Sequence, residues 1–233
     1  MTKKHQLPTM LILAALAAIL LLIIIILNNQ FTQVTKNERL LVGSLFIIIS
    51  LGGIYSAFRP GRLKRLFQKP DINKIPNRTK SKISLAGHHP ECKPFDNHSF
   101  HYKNTEFCTG CYGLAVGSII AIITICVYIF SNMTLAIEYS IILLSTGFIF
   151  IVINYIETLW YHNTILFHLV SNVLLITGFL LIVISTTEIT GEASYGIIAI
   201  VFSGLWLDVR IHLSQYKHQR ICQLCPNNCV YFK

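Results

Sequence analysis

Charged side chains are scarce in this 233-residue sequence: Asp, Glu, Lys and Arg make up 12% of it, while 53% of the residues are hydrophobic. A soluble domain carries about 25% charged residues, so this chain lacks the polar exterior that a large soluble helical core would need. A helix needs roughly 20 residues to cross a membrane. We therefore predict an all-α polytopic membrane protein with about six transmembrane helices, in the apolar blocks 10–27, 40–58, 112–130, 137–155, 164–185 and 195–207.

The sequence also lacks the short motifs that mark several enzyme classes. It has no phosphate-binding loop, no nucleophile elbow, no dinucleotide fingerprint and no His-Glu-x-x-His pair. Each of these motifs has a fixed spacing because it places a helix terminus, a nucleophile or two metal ligands at a reacting group. Their absence argues against the enzyme classes that they mark.

The basic residues are unevenly divided among the segments that connect six helices. Seventeen of the nineteen lie at the amino terminus, in the loop 59–111 or in the tail 208–233, all of which would share one side; only Lys36 and Arg39 lie on the other, with the acidic Glu188. The positive-inside rule predicts a cell-membrane protein with both termini in the cytoplasm. Contact with anionic lipid headgroups then explains the net charge of +9. We expect no nucleic-acid partner, because the basic stretch lacks interleaved aromatic residues.

The first segment is expected to remain as a membrane helix. Its apolar run exceeds the 7–15 residues that are typical of a cleaved signal peptide, and no small-residue cleavage site follows. At the other end, Tyr195 and Trp206 are expected at the membrane interface. The predicted organisation is two transmembrane helices in 1–58, a basic membrane-surface linker in 59–86, a cytoplasmic Cys/His metal-binding loop in 87–111, four transmembrane helices in 112–207 and a cytoplasmic Cys-rich tail in 208–233.

Six of the seven cysteines lie in two polar segments, and only Cys126 lies in an apolar block. Cys108 and Cys111 have the spacing that lets two thiolates hold one ion from a tight turn, and Cys92 and His98 can complete a tetrahedron. A unit of about 25 residues normally needs a metal or a cross-link to fold. Zinc is the expected metal, although the spacing alone also fits iron; the alternative is free thiols among ordinary loop residues. Further candidate ligands are His88, His89 and His101.

The second cluster is a complete Cys₃His set at the end of the chain. In the cytoplasm such cysteines are more often metal ligands or catalytic thiols than disulfides, so we predict a second zinc-binding segment. Two alternatives remain open. The first two cysteines can cross over to complete the loop site as a Cys₄ set, or the tail is exposed and its thiols are reactive. The four residues are His218, Cys222, Cys225 and Cys229.

Polar residues inside the predicted helices are candidates for function, because each is unfavourable in lipid. Asn154 and Glu157 lie near one end of the fourth helix, and His168 and Asn172 are four residues apart on one face of the fifth. They can form a polar pocket under the metal-binding loop. Alternatively, His168 forms a hydrogen bond to a neighbouring helix and acts only in packing.

Two segments of the sequence are similar to a known protein family. They are His-His-Pro-Glu-Cys-Lys-Pro-Phe-Asp-Asn-His at 88–98 and Phe-Cys-Thr-Gly-Cys-Tyr-Gly at 107–113. They resemble an uncharacterised family of prokaryotic predicted multi-pass membrane proteins, whose Cys/His-rich loop ends in Cys-x-x-Cys-x-Gly at the start of a membrane helix. The similarity covers roughly 87–118. Several members carry Arg at the position of Gly110, and the family brings no assigned activity. The resemblance implies a shared site at His88, His89, Cys92, His98, Cys108 and Cys111.

Three functional hypotheses follow. The first is a structural or accessory membrane protein with a zinc-stabilised loop, whose partners are the lipid bilayer and other membrane-protein subunits of a larger complex. The second is a thiol–disulfide or electron-transfer oxidoreductase, in which the amino end of a helix favours the thiolates of Cys108 and Cys111 and these exchange electrons with Cys222 and Cys225.

The third hypothesis is a metal-dependent hydrolase or metal transporter. It would use Glu157, His162 and His168. These residues lack the regular ligand spacing of a His-Glu-x-x-His helix, in which both histidines lie on one face. The first hypothesis is therefore the one that the sequence favours.

Overall fold

A computed structural model describes residues 6–28, 33–58, 84–86, 99–102, 105–131, 135–159 and 164–224. Six helices in this part of the chain are long and apolar enough to cross a membrane, which confirms a multi-pass helical architecture. They are α1 (Gln6–Leu27), α2 (Lys36–Phe58), α3 (Thr109–Phe130), α4 (Ile137–Leu159), α5 (Ile165–Thr190) and α6 (Ala193–Leu224).

A small sheet precedes α3, and the sequence analysis did not predict it. Its strands are β1 (Ser84–Ala86), β2 (Ser99–Tyr102) and β3 (Thr105–Cys108), in the order β1-β3-β2. The central strand β3 pairs in parallel with β1 and antiparallel with β2. Strands of three or four residues are too short to show a clear two-residue period. Because β3 ends where α3 begins, the sheet leads directly into the Cys-x-x-Cys turn.

Helix ends extend beyond the apolar blocks. A capping box opens α2: the Thr35 backbone N–H donates to Glu38 Oε2 at 2.8 Å, and the Glu38 N–H donates to Thr35 Oγ1 at 3.3 Å. Helix α5 ends at Gly191, whose φ of 75° is the left-handed conformation typical of a helix terminus. Glu188, which the sequence analysis placed in a loop, therefore lies in the last turn of α5.

The central helix of the bundle is α5, which packs against α3, α4 and α6, while α2 packs on α3 and α1 on α6. Glycines on α3 permit the closest approach. A Cβ on Gly113 would lie 2.7 Å from the Leu169 carbonyl oxygen, and a Cβ on Gly117 would lie 3.0 Å from Val173 Cα. The Gly-x₃-Gly pair therefore brings the backbones of α3 and α5 together, as such pairs do in membranes.

Trp206 lies in the core, so the expectation of an interfacial position was wrong. Its side chain is 2% exposed, its ring stacks on Phe179, and its indole N–H donates to the Ala14 carbonyl oxygen at 3.0 Å. The reason is the length of α6, which runs to Leu224 instead of ending near residue 207. Trp206 is therefore an interior residue of the helix, and it fixes α1 to α6.

A buried ion pair joins three helices at the end of the bundle where α2 begins and α3 and α5 end. Arg39 Nη2 lies 3.0 Å from Glu188 Oε1. The Tyr128 hydroxyl donates to the same carboxylate oxygen at 2.7 Å, and the Arg39 guanidinium lies 5.1 Å from the centre of the Tyr128 ring. Arg39 Nη1 also donates to the Ser131 carbonyl oxygen at 3.2 Å. We call Arg39, Tyr128 and Glu188 the clamp.

Candidate functional site: a thiol pair beside a buried polar network

The two cysteines of the Cys-x-x-Cys motif lie side by side where β3 meets α3. Cys108 is the residue before the helix and is 4% exposed, while Cys111 lies in the first helical turn and is partly buried. Their thiols are hydrogen-bonded to each other. This places both sulfur atoms at the amino end of a helix, where the helix dipole stabilises negative charge. We call Cys108 and Cys111 the thiol pair.

An acidic and a basic side chain meet beneath this end of the bundle. Glu157 of α4, which is 2% exposed, lies with Oε1 2.8 Å from His168 Nδ1 of α5. The Ser171 hydroxyl donates to Glu157 Oε2 at 3.1 Å, and the Asn154 amide lies 3.4 Å from the Ser171 oxygen. The interhelical hydrogen bond expected of His168 is thus confirmed, and it belongs to a larger set of polar contacts.

A buried arginine of α6 extends these contacts to a third helix. Arg210 is 5% exposed, and its Nη2 donates to Asn172 Oδ1 at 2.5 Å. The Asn172 amide in turn donates to the His168 carbonyl oxygen at 2.6 Å. All four of the sequence-predicted pocket residues therefore belong to one group, which Ser171 and Arg210 complete. We call it the polar network: Asn154, Glu157, His168, Ser171, Asn172 and Arg210.

Gly110 brings the polar network next to the thiol pair. A Cβ at this position would lie 2.9 Å from His168 Nε2, 3.5 Å from Arg210 Nη2 and 3.8 Å from Asn172 Nδ2. Three nitrogen-bearing side chains thus converge on the residue between the two cysteines. A side chain at this position would force the His168 imidazole to shift, and the lack of one allows α3 to begin directly against α5 and α6.

Several buried polar atoms of this region have no hydrogen-bond partner within the described part of the chain. They are Thr109 Oγ1, Asn154 Oδ1 and Arg210 Nε. An unpaired polar atom in the interior of a membrane protein is unfavourable, so each of these atoms calls for a reason other than packing. The end of the bundle that carries the thiol pair is therefore the candidate functional site.

The predicted metal ligands are divided between described and undescribed parts of the chain. Cys108 and Cys111 are described with their side chains, whereas His101 is placed only by the backbone of β2, and His218 and Cys222 only by that of α6. Within the described ranges, no group of three or more His, Cys, Asp or Glu side chains is arranged to hold a metal. The remaining candidates lie outside the described residues: His88, His89, Cys92, His98, Cys225 and Cys229.

Sequence reasoning missed the role of Arg210. It was counted among the basic residues of a tail that begins at 208, whereas α6 continues through it and buries its guanidinium. The available signal was the four-residue spacing from Trp206 to Arg210, which places both on one face of a continued helix. Ser171 was missed because a serine in an apolar helix is common and carries no signal by itself.

Comparison with known proteins adds no relative. No protein-family model, no curated protein and no solved structure matches this chain. The geometry of the site therefore carries the functional argument.

Proposed function

We propose that this protein is a multi-pass membrane protein in which the thiol pair binds zinc, and that the metal fastens the Cys/His loop to the helix bundle. Its role is structural or accessory, as a subunit of a larger membrane complex. The observation that carries the proposal is the contact between the Cys108 and Cys111 thiols at the buried amino end of α3.

The donor set suits zinc. Two cysteines on one turn, whose thiols are hydrogen-bonded to each other, can provide two corners of the tetrahedron that zinc prefers. A zinc–thiolate centre carries negative charge when thiolates predominate, and the Arg210 guanidinium beside Gly110 would offset it. Outer groups that hydrogen-bond or balance metal ligands commonly raise metal affinity. The polar network supplies such groups on one side of the thiol pair.

The other two ligands would come from the loop that precedes the thiol pair. Cys92 and His98 are the first choice, with His88, His89 and His101 as the other candidates. Metal binding by small units of this type contributes on the order of 10 kcal/mol, which is enough to order a short segment. The metal would therefore act as the link between a loop with little apolar surface and a rigid helix.

The proposal is tested by removing one ligand. Cys108→Ser in the full chain should abolish the zinc measured by elemental analysis of detergent-purified protein, and should expose the loop to limited proteolysis while the helices stay inserted. Cys126→Ser is the matched control, because this partly buried thiol lies within the apolar part of α3. A Cys108→Ser protein that retains both its zinc and its protease resistance would refute the proposal.

We place the thiol pair and both termini in the cytoplasm, at the cell membrane. Six spanning helices put the two termini on one side, and seventeen of nineteen basic residues are assigned to that side. The measurement is thiol labelling in intact cells, in a Cys126→Ser background, with a membrane-impermeant reagent. Labelling is carried out with a zinc chelator present, and Cys92 and Cys222 should then react only after the cells are opened. Reaction in intact cells would invert the topology.

A second candidate function is thiol–disulfide exchange, which the direct contact of the two thiols also favours. The thiol pair would form an internal disulfide, and its two electrons and two protons would reduce a disulfide of a partner protein to two thiols. Elemental analysis combined with a free-thiol count distinguishes the candidates. Stoichiometric zinc with protected thiols supports the metal-binding function, whereas metal-free protein with a reducible Cys108–Cys111 disulfide supports exchange.

A further inference from the structure

The outward face of α6 carries a regular row of exposed residues. They recur at alternating intervals of three and four positions: Val201, Gly204, Asp208, Ile211 and Gln215. We call these five residues the outer stripe. Alternating intervals of three and four are typical of a helix that packs along a second helix, because they place all of these side chains on one seam.

The acidic residue of the outer stripe lies inside the membrane-spanning part of α6. That part is Ala193–Lys217, and Asp208 lies about 22 Å beyond its first residue at 1.5 Å per residue, within a hydrocarbon thickness of about 30 Å. The Asp208 side chain is 61% exposed, and Oδ2 lies 3.4 Å from Nδ1 of His212, which is 45% exposed. The other exposed acidic and basic side chains described on the helices, Lys36 and Glu138, lie in the first turns of α2 and α4.

The adjacent helix α1 shows which side chains face lipid at this depth. The Trp206 indole N–H donates to the Ala14 carbonyl oxygen, and the first and last of six spanning helices run in opposite directions. Ile12 and Leu13 therefore lie at about the depth of Asp208, and they are aliphatic and 57% and 52% exposed. An ionisable side chain facing lipid is unfavourable, so a protein surface is the better neighbour for the outer stripe.

A glycine leaves room for that surface one turn from Asp208. A Cβ on Gly204 would meet no atom of the described residues within 4 Å, so the backbone of α6 is open toward the outside at this position. Inside the bundle, Gly113 and Gly117 bring α3 close to α5. Small residues serve in the same way where transmembrane helices associate. A second helix that approaches at Gly204 would also cover the neighbouring carboxylate.

We propose that the outer stripe is the interface of a homodimer, in which α6 packs along α6 of a second copy of this chain. The charges favour a second copy, because each copy brings one carboxylate and one imidazole to the same level, and each imidazolium offsets a carboxylate. Two copies with one topology are related by a twofold axis along the membrane normal, so the paired helices are parallel. Gly204 then lies against the partner's Gly204, where the backbones approach most closely. This inference goes beyond the proposed function and requires no metal.

The test is energy transfer between two populations of the full chain, which carry a donor or an acceptor fluorescent protein at the carboxyl terminus. Both are reconstituted into vesicles of phosphatidylethanolamine and phosphatidylglycerol. The unchanged protein should show transfer that rises with the protein-to-lipid ratio and then saturates. Gly204→Leu should weaken association about tenfold or more, because the added side chain holds the two backbones apart.

Gly52→Leu is the matched control. Gly52 is also an exposed glycine of a spanning helix, α2, and a Cβ there would likewise meet no atom of the described residues within 4 Å. Neither substitution should disturb the fold of the single chain, so circular dichroism should be equal for both. Gly52→Leu should associate as the unchanged protein does. Equal weakening by the two substitutions, or association that survives Gly204→Leu, overturns the inference.

A second pair of variants tests the charges. Asp208→Lys should also weaken association about tenfold or more, because it removes both carboxylates and gathers basic groups at one level of the seam. The exchange Asp208→His/His212→Asp keeps one acid and one imidazole on each helix and should retain association. Absence of energy transfer in the unchanged protein overturns the inference, and it would leave the outer stripe to lipid or to a different subunit. Loss of transfer in the exchange variant overturns the charge argument.

Discussion

The two ends of the helix bundle bury charge in different ways. In the clamp, Arg39 and Glu188 are in direct contact at 3.0 Å, and Tyr128 donates to the same carboxylate. In the polar network, the acid and the guanidinium are not paired with each other: Glu157 contacts His168, while Arg210 contacts the amide of Asn172.

This difference separates a structural contact from a candidate site. A direct buried ion pair offsets most of the desolvation of its two charges and holds its helices in one arrangement. In the polar network Glu157 and Arg210 interact through their charges without a direct ion pair, and Lys217 adds a further positive charge near Glu157. The side chains of His168 and Arg210 lie beside Gly110, the residue between the two cysteines of the thiol pair.

The largest expected effect comes from breaking the clamp. Arg39→Met leaves the Glu188 carboxylate buried without its cation, and removing one partner of a buried pair costs about 3–5 kcal/mol. The free energy of unfolding, measured by denaturation in detergent micelles, should fall by this amount. Lys36→Met is the control, since Lys36 is exposed on the same helix, and surface changes stay within about 0.5 kcal/mol. Equal losses in both variants would contradict the assignment of the clamp.

Removing the cation of the polar network should lower the free energy of unfolding less than Arg39→Met does. Arg210→Met breaks one hydrogen bond and leaves Asn172 Oδ1 unpaired, at a cost of about 1–3 kcal/mol. The same variant should release zinc to a chelator faster than the unchanged protein, because a cation beside thiolates stabilises them. Arg39→Met should not change that release rate. If Arg39→Met accelerates zinc release as much as Arg210→Met does, the functional distinction between the two ends is wrong.

Glycine-to-alanine substitutions test how closely the helices pack at the two ends of the bundle. A Cβ on Gly113 would meet the Leu169 carbonyl oxygen of the backbone at 2.7 Å, whereas a Cβ on Gly43 would meet the flexible end of the Ile129 side chain. Gly113→Ala should therefore lower the free energy of unfolding by on the order of 1–2 kcal/mol. Gly43→Ala should lower it less, because Ile129 can change its rotamer. Thermal unfolding in detergent measures both, and a larger loss for Gly43→Ala would contradict this account.

Removing one hydroxyl at each end of the bundle is expected to change the free energy of unfolding least. Tyr128→Phe and Ser171→Ala each remove a hydrogen bond to a carboxylate, and such bonds in membrane proteins contribute about 0.6 kcal/mol on average. Both variants should unfold within about 1 kcal/mol of the unchanged protein. Only Ser171→Ala should alter zinc retention, because Ser171 belongs to the polar network beside the thiol pair. A loss of several kcal/mol in Tyr128→Phe would show that the hydroxyl, and not the ion pair, stabilises the clamp.

The polar network was partly predictable and the clamp was not. His168 and Asn172 are four residues apart in one apolar segment, and that spacing indicated a shared polar face. Arg39 and Glu188 are separated by 149 positions, and each lay beyond an apolar block, where a charged residue is expected in a loop. Trp206 was misplaced for a related reason: the end of apolar composition was taken as the end of the helix, whereas α6 continues to Leu224.

The sequence by itself determined the membrane class, the six spanning segments and the Cys-x-x-Cys turn, because each follows from local composition or from spacing within a few residues. Only the tertiary structure decided which charges meet, since the partners Arg39 and Glu188, or Asn172 and Arg210, lie on helices whose neighbours are set by packing. The same is true of Gly110, whose contacts with His168 and Arg210 come from two other helices. Local pattern places polar groups along a helix, but the order and rotation of the helices around α5 determine what those groups face.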